Sequence, residues 1–158
     1  MLYFKWIGIL LILLCGVGAG LAFASFERRR FAQAMGFLAL LRYIRLQIDC
    51  FSLPVCKILG NCDREVLLDC GAPDGARDVP ALLQGTRLYL PDEVCRLLQD
   101  FSAQLGGSYR EEQLRCCDYY VARLAPFCDR LREELPRRTR MALLLPMAFA
   151  AILVLLLL

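Results

Sequence analysis

Two stretches of this chain carry no charge, and they limit what it can fold into more than any other feature. Trp6 to Phe26 gives 21 uncharged residues and Met141 to Leu158 another 18. A helix rises about 1.5 Å per residue, so they cover roughly 31 Å and 27 Å, close to a ~30 Å hydrocarbon core. Between them lie residues 27–140, with 18 basic and 16 acidic side chains. That length suits one small domain with its own core, and the charge is too balanced for a nucleic-acid partner. The expected organisation is a transmembrane helix over 6–26, a cytoplasmic helical domain over 27–140 and a second transmembrane helix over 141–158.

The side of the membrane follows from the arginines. Arg28, Arg29 and Arg30 follow the first span, and Arg137, Arg138 and Arg140 precede the second, whereas Lys5 is the only basic side chain beyond these flanks. Basic residues near membrane ends are retained in the cytoplasm, which puts the central domain inside and both termini outside. A second reading takes Lys5, the first apolar stretch and Ala22-Phe23-Ala24 as a cleaved signal peptide. Eight cysteines and an apolar tail then remain, as in a disulfide-linked, membrane-anchored surface binding module. Against it, the apolar stretch exceeds the usual 7–15 residues of a signal, and three arginines would sit just past the cut. The tail is also preceded by "PRRTR", not by small residues and a polar spacer.

Catalytic chemistry has little to work with. There is no histidine in the chain, which removes Ser-His and Cys-His catalysis and every histidine-containing metal site. No phosphate-binding loop and no nucleophile elbow occurs, and no C-x2-C pair supports zinc. The nine cysteines read as buried free thiols acting as small hydrophobes, with Cys117 and Cys128 on an apolar helix stripe and Cys116 beside it. No enzyme and no cofactor is expected; thiol chemistry would have to rest on Cys116-Cys117.

The domain reads as all-α. Ala34, Leu38, Leu41, Ile44 and Ile48 mark one buried helix face, with Phe37, Leu40 and Tyr43 as a second row. The helix can continue straight out of the first span, and Ser52-Leu53-Pro54 restarts the chain. A short helix is expected in "GNCDREVLLDCG", capped by Asn61 or Asp63, then a turn-rich connector and another short helix near 80–84. Val94, Leu97, Leu98, Phe101 and Leu105 line a further helix, with Pro91 in its first turn. Gly106-Gly107 ends it, and Ser108 with Glu111 forms a capping box for the next. Leu114, Cys117, Val121, Leu124, Cys128, Leu131 and Leu135 then recur at alternating spacings of 3 and 4, a coiled-coil seam that Pro126 kinks without ending. The pair is an αα-hairpin. In the first span Gly16 and Gly20 make a G-x-x-x-G face suited to close helix packing, shared with Gly8 and Ala24.

Several segments together resemble one family. "FKWIGILLILLCGVGAGLAFASFERRR", "LRYIRLQIDCFSLPVCKI", "LGGSYREEQLR" and the closing "RRTRM…LLLL" look like those of stage III sporulation protein AB of endospore-forming bacteria. The family's L-G-x-[ST]-x-x-E-x-Q turn is matched by Leu105, Gly106, Ser108, Glu111 and Gln113. Gln47, Cys50, Tyr109 and Glu112 depart from the family pattern. The resemblance implies a non-catalytic membrane platform in the complex linking mother cell and forespore, with its helical domain on the mother-cell side. It implies as partners the complex's ATPase, stage III sporulation protein AA, other proteins of that secretion-like complex, and membrane lipid. Arg115, Arg123, Arg130 and Glu133 are the candidate docking face.

Overall fold

A computed structural model describes residues 2–51, 58–72, 78–106 and 109–157. Among these residues there is no strand. Five α-helices account for nearly all of them: α1 (Leu2–Phe51), α2 (Arg64–Cys70), α3 (Val79–Gly85), α4 (Asp92–Gln104) and α5 (Arg110–Leu157). The chain divides into two compact units, Met1–Arg29 with Arg132–Leu158 and Arg30–Leu131. Helices α1 and α5 contribute to both.

The unit of chain ends is an antiparallel helix pair. A Cβ placed on Gly16 would lie 2.8 Å from the Ala150 Cβ and 3.1 Å from the Pro146 carbonyl oxygen. One on Gly20 would lie 3.3 Å from the Leu143 Cα and 3.4 Å from the Ala142 oxygen. Ala24 and Ala150 are buried in the same seam. Small residues are what let the two backbones approach so closely. Gly8, counted on the same face, has open space where a side chain would be. Both helices are long and apolar enough to cross a membrane, and their apolar windows are only 11% and 6% buried within the protein. Outward-facing leucines such as Leu14 and Leu145 lack the protein partners that a soluble core would give them.

The second unit is a small helical bundle. The expected buried face of α1 is realised: Ala34, Phe37, Leu38, Leu40, Leu41, Ile44 and Ile48 are all buried, with Tyr43 packed at the margin. They meet Val94, Leu98 and Phe101 of α4 and Cys117, Leu124, Cys128 and Leu131 of α5. Polar contacts fix the antiparallel register of α1 against α5. The Cys128 thiol donates to the Ala34 oxygen at 3.4 Å, and Arg45 pairs with Asp118 at 2.5 Å. Arg110 reaches the carbonyls of Ile48 and Asp49 and the Asp49 carboxylate. These carbonyls belong to the last turns of α1, where helical donors run out, so a cation there caps the helix and opposes its dipole.

The short helices start and stop for local reasons. Asp63 caps α2, its carboxylate accepting from the Glu65 N–H, and Gly71 (φ 80°) supplies the left-handed residue that ends it. Asp78 caps α3 by accepting from the Ala81 N–H at 2.8 Å. Pro91 was expected within the first turn of α4, but it sits one place earlier, at the N-cap, with extended backbone (ψ 153°). Its carbonyl accepts from Val94 and Cys95, so the ring closes the loop and leaves the first helical N–H to Asp92. Helix α5 runs unbroken past Pro126, Pro136 and Pro146.

One buried amide ties the bundle together. Gln33 is 3% exposed. Its Nε2 donates to the carbonyls of Cys70 at 3.0 Å and Arg87 at 3.1 Å, while Oε1 accepts from the Tyr89 N–H at 2.8 Å. The last carbonyl of α2 and the non-helical segment between α3 and α4 thereby obtain partners that water would otherwise supply. Nearby, a Cβ on Gly36 would fall 2.8 Å from the Cys70 nitrogen, so the end of α2 lies directly against the backbone of α1.

Candidate functional site

The turn expected to join α4 and α5 is described in part. Leu105 ends α4 with its N–H on the Phe101 oxygen at 3.1 Å, and Gly106 adopts the left-handed conformation at φ 95°. Gly107 and Ser108 lie outside the described residues, and with them the proposed capping box. Helix α5 begins at Arg110, with the Tyr109 carbonyl accepting from Glu112 and Gln113, each at 3.0 Å. Glu111 is exposed in the first turn, where a carboxylate suits the helix dipole, and Gln113 is half-buried.

The two helices pack along their length. Phe101 meets Tyr120 edge to face at 5.3 Å, and the Cys116 thiol contacts the Gln104 amide oxygen at 3.7 Å. Tyr120 was not assigned to the seam; Val121 was. Tyr120 is buried and Val121 only partly so. The deepest positions run 117, 120, 124, 128 and 131, at spacings of 3, 4, 4 and 3, which keep the heptad mean while putting Tyr120 in the place expected of Val121.

A groove of two adjoining parts runs over the outer side of this contact. One part, about 380 Å³, has an apolar floor from Val94, Leu97, Leu124 and Phe127, with Glu93, Arg123 and Arg130 at its edges. The other, about 330 Å³, shares Glu93, Leu97 and Arg123 and adds Arg96, Asp100 and Tyr119. The Arg123 guanidinium lies 5.4 Å from the Tyr119 ring centre, a cation–π contact that orients it. Arg123 and Arg130 enter no ion pair among the described residues, so their guanidinium forks face solvent with donors to spare.

Of the four expected docking residues, the structure thus brings Arg123 and Arg130 into one site. Arg115 is exposed nearer the start of α5 and lines neither part of the groove. Glu133 is exposed beyond Leu131, in the other compact unit. Sequence reasoning missed the α4 contribution: Glu93, Arg96 and Asp100 were visible as a charged helix face, but nothing local said that this face would meet Arg123.

The buried thiols of the helical unit are held in their neutral form. Cys117 is fully buried, and desolvation pushes it up to about 12. Its neighbour Cys116 is half-buried and raised by the same cause. Burial also lifts Cys70 to about 12 and Cys128 to about 11. A nucleophilic cysteine needs its thiolate near neutral pH, and this pair is moved away from it. Among the described residues, no group of three or more Cys, Asp or Glu is placed to hold a metal ion.

A family model for stage III sporulation protein AB matches residues 82–158. The match covers 77 of the chain's 158 residues, just under half. The matched residues take in α4, the groove, the hairpin turn and the whole of α5, while the N-terminal segments carrying the resemblance lie outside them. The family places the chain among stage III sporulation proteins and is not known as one of enzymes. No curated protein and no solved structure matches.

Proposed function

We propose that this protein is a non-enzymatic platform of the membrane complex linking mother cell and forespore, and that its helical unit docks the ATPase of that complex. The observation carrying the docking step is the α4–α5 groove. It combines an apolar floor with two uncommitted arginines in the half of the chain that the family model covers. Apolar anchors seated in a desolvated centre supply most of the affinity of an interface, and rim charges supply encounter rate and register. Guanidinium forks suit carboxylates on the partner, which they can grip with two parallel hydrogen bonds. The two apolar ends, paired through Gly16 and Gly20, would hold the platform in lipid, with the arginine flanks on the mother-cell cytoplasmic side.

The test is binding of the full chain, reconstituted in nanodiscs, to stage III sporulation protein AA with and without nucleotide. Reversing two rim charges (Arg123→Glu with Arg130→Glu) should weaken binding by about tenfold or more, since each truncated charge contact costs on the order of 1 kcal/mol. Arg115→Glu, outside the groove, should change it by less than about threefold. Absence of binding in every nucleotide state, or binding indifferent to the double reversal, would refute the docking role.

A further inference from the structure

The arginines at the end of the apolar helix pair form one collar. Residues 27–29 and 132–140, all in the unit of chain ends, hold six arginines against three glutamates. The seam sets their levels. Gly16 lies against Pro146 and Ala150, Gly20 against Ala142 and Leu143, and Glu27 comes within 3.8 Å of Arg138. In that antiparallel register Arg137 and Arg140 of α5 come level with residues 23–28 of α1, next to Arg28 and Arg29. At 1.5 Å per residue the four occupy a band about 9 Å deep, comparable with the roughly 5–7 Å of a headgroup layer. On the apolar side of this band Leu14 and Leu145 are largely exposed and turn outward, so the collar lies where headgroups would meet it.

The six arginines are not equivalent. Arg138 is engaged: Glu134 accepts from its Nε at 2.8 Å and lies 2.6 Å from Nη2. Arg132 and Glu133 are exposed with opposite charges, a turn further from the apolar stretch than Arg137. Arg28, Arg29, Arg137 and Arg140 are exposed and enter no ion pair among the described residues. Their guanidinium forks therefore keep donors in the geometry that phosphate oxygens accept, two parallel hydrogen bonds at a time.

We propose that Arg28, Arg29, Arg137 and Arg140 form an interfacial site that recruits anionic phospholipid, their guanidinium groups holding lipid phosphates while Arg138 stays on Glu134. The ligand is membrane lipid and not free phosphate, because the collar borders directly on the outward-facing leucines, along which acyl chains can lie. Each basic side chain at a membrane surface favours an anionic lipid by about fivefold. The proposal rests on the chain ends lying in lipid and is independent of ATPase docking.

The experiment is electron paramagnetic resonance on the full chain in phosphatidylcholine vesicles. Trace phosphatidylglycerol or phosphatidylcholine, spin-labelled alike on the acyl chain, reports how much of each lipid is held against the protein. The expected result is phosphatidylglycerol favoured about threefold to fivefold at low salt. The preference should fall toward parity at about 1 M salt, where the screening length is about 3 Å. Arg28→Gln with Arg140→Gln should bring it below about twofold, while Arg28→Lys with Arg140→Lys, which keeps the charge, should retain it. Two controls should leave it unchanged. Glu134→Gln with Arg138→Gln removes the engaged pair, and Arg64→Gln with Arg115→Gln takes two exposed charges from the helical unit. Equal association of the two lipids, a preference that survives loss of Arg28 and Arg140, or an equal fall in either control would overturn the site. A spectrum showing no lipid held by the protein would overturn the membrane reading along with it.

Discussion

Replacing Phe101 by alanine should make Cys117 react with a maleimide on the order of a hundred- to several-thousand-fold faster under native conditions. Both side chains are fully buried in one core. Removing a buried phenylalanine ring costs about 3–5 kcal/mol, from lost transfer energy and the cavity left behind. Here the ring also loses its edge-to-face contact with Tyr120. A thiol buried in the closed state reacts only when the core opens, and burial holds its pKa up at about 12. The labelling rate therefore follows the opening equilibrium, at one decade per about 1.4 kcal/mol. Phe101→Leu keeps most of the volume and should cost less than about 1.5 kcal/mol. Peptide-resolved labelling of the full chain in mild detergent gives the rates. A Cys117 rate unchanged in the alanine variant would mean that the α4–α5 contact is not the core of this unit.

Gln33→Leu should be nearly as damaging, although it swaps one buried side chain for another of similar size. The leucine leaves the carbonyls of Cys70 and Arg87 and the N–H of Tyr89 without their partner. Each buried polar group left unpaired costs about 1–3 kcal/mol. Water entering the gap recovers part of this, so the net loss is about 2–4 kcal/mol, exceeding the small gain from burying a leucine. Cys70, whose own carbonyl is one of the partners, is the natural reporter, and its labelling should accelerate on the order of a hundredfold. The Gln33→Glu variant separates shape from hydrogen bonding. At neutral pH it points a carboxylate at two carbonyls. Its penalty should shrink as pH falls through the carboxyl range and the acid becomes a donor. A Cys70 rate indifferent to both substitutions would contradict the bonding described.

These two residues mark what the sequence could reveal. Phe101 was legible because it recurs with Val94, Leu98 and Leu105 at helical spacing, and burial of one helix face is a local pattern. The capping residue Asp63 and the left-handed Gly106 were legible for the same reason, since each acts on its own turn. Gln33 was not. It stands in a helix read as apolar on two sides, and its partners lie 37 to 56 residues along the chain. Only tertiary packing brings those carbonyls to it. The groove was legible in half: Arg123 and Arg130 could be named from α5, whereas Glu93 and Arg96 could be joined to them only once α4 was laid alongside. The seam was read with a spacing of 4 after Cys117, which placed Val121 where the packing against Phe101 puts Tyr120. At the chain ends, Gly16 and Gly20 were found from their spacing, and their partners Ala142, Pro146 and Ala150 were not.

The direct test of the whole account is the side of the membrane on which the helical unit lies. Cys50 is an exposed thiol near the end of α1, well clear of both apolar stretches. In intact cells producing the full chain, a membrane-impermeant maleimide should leave Cys50 unmodified, and permeabilising the same cells should allow it to react. Modification of Cys50 before permeabilisation would put the bundle outside the cell, where no cytoplasmic ATPase could reach its groove.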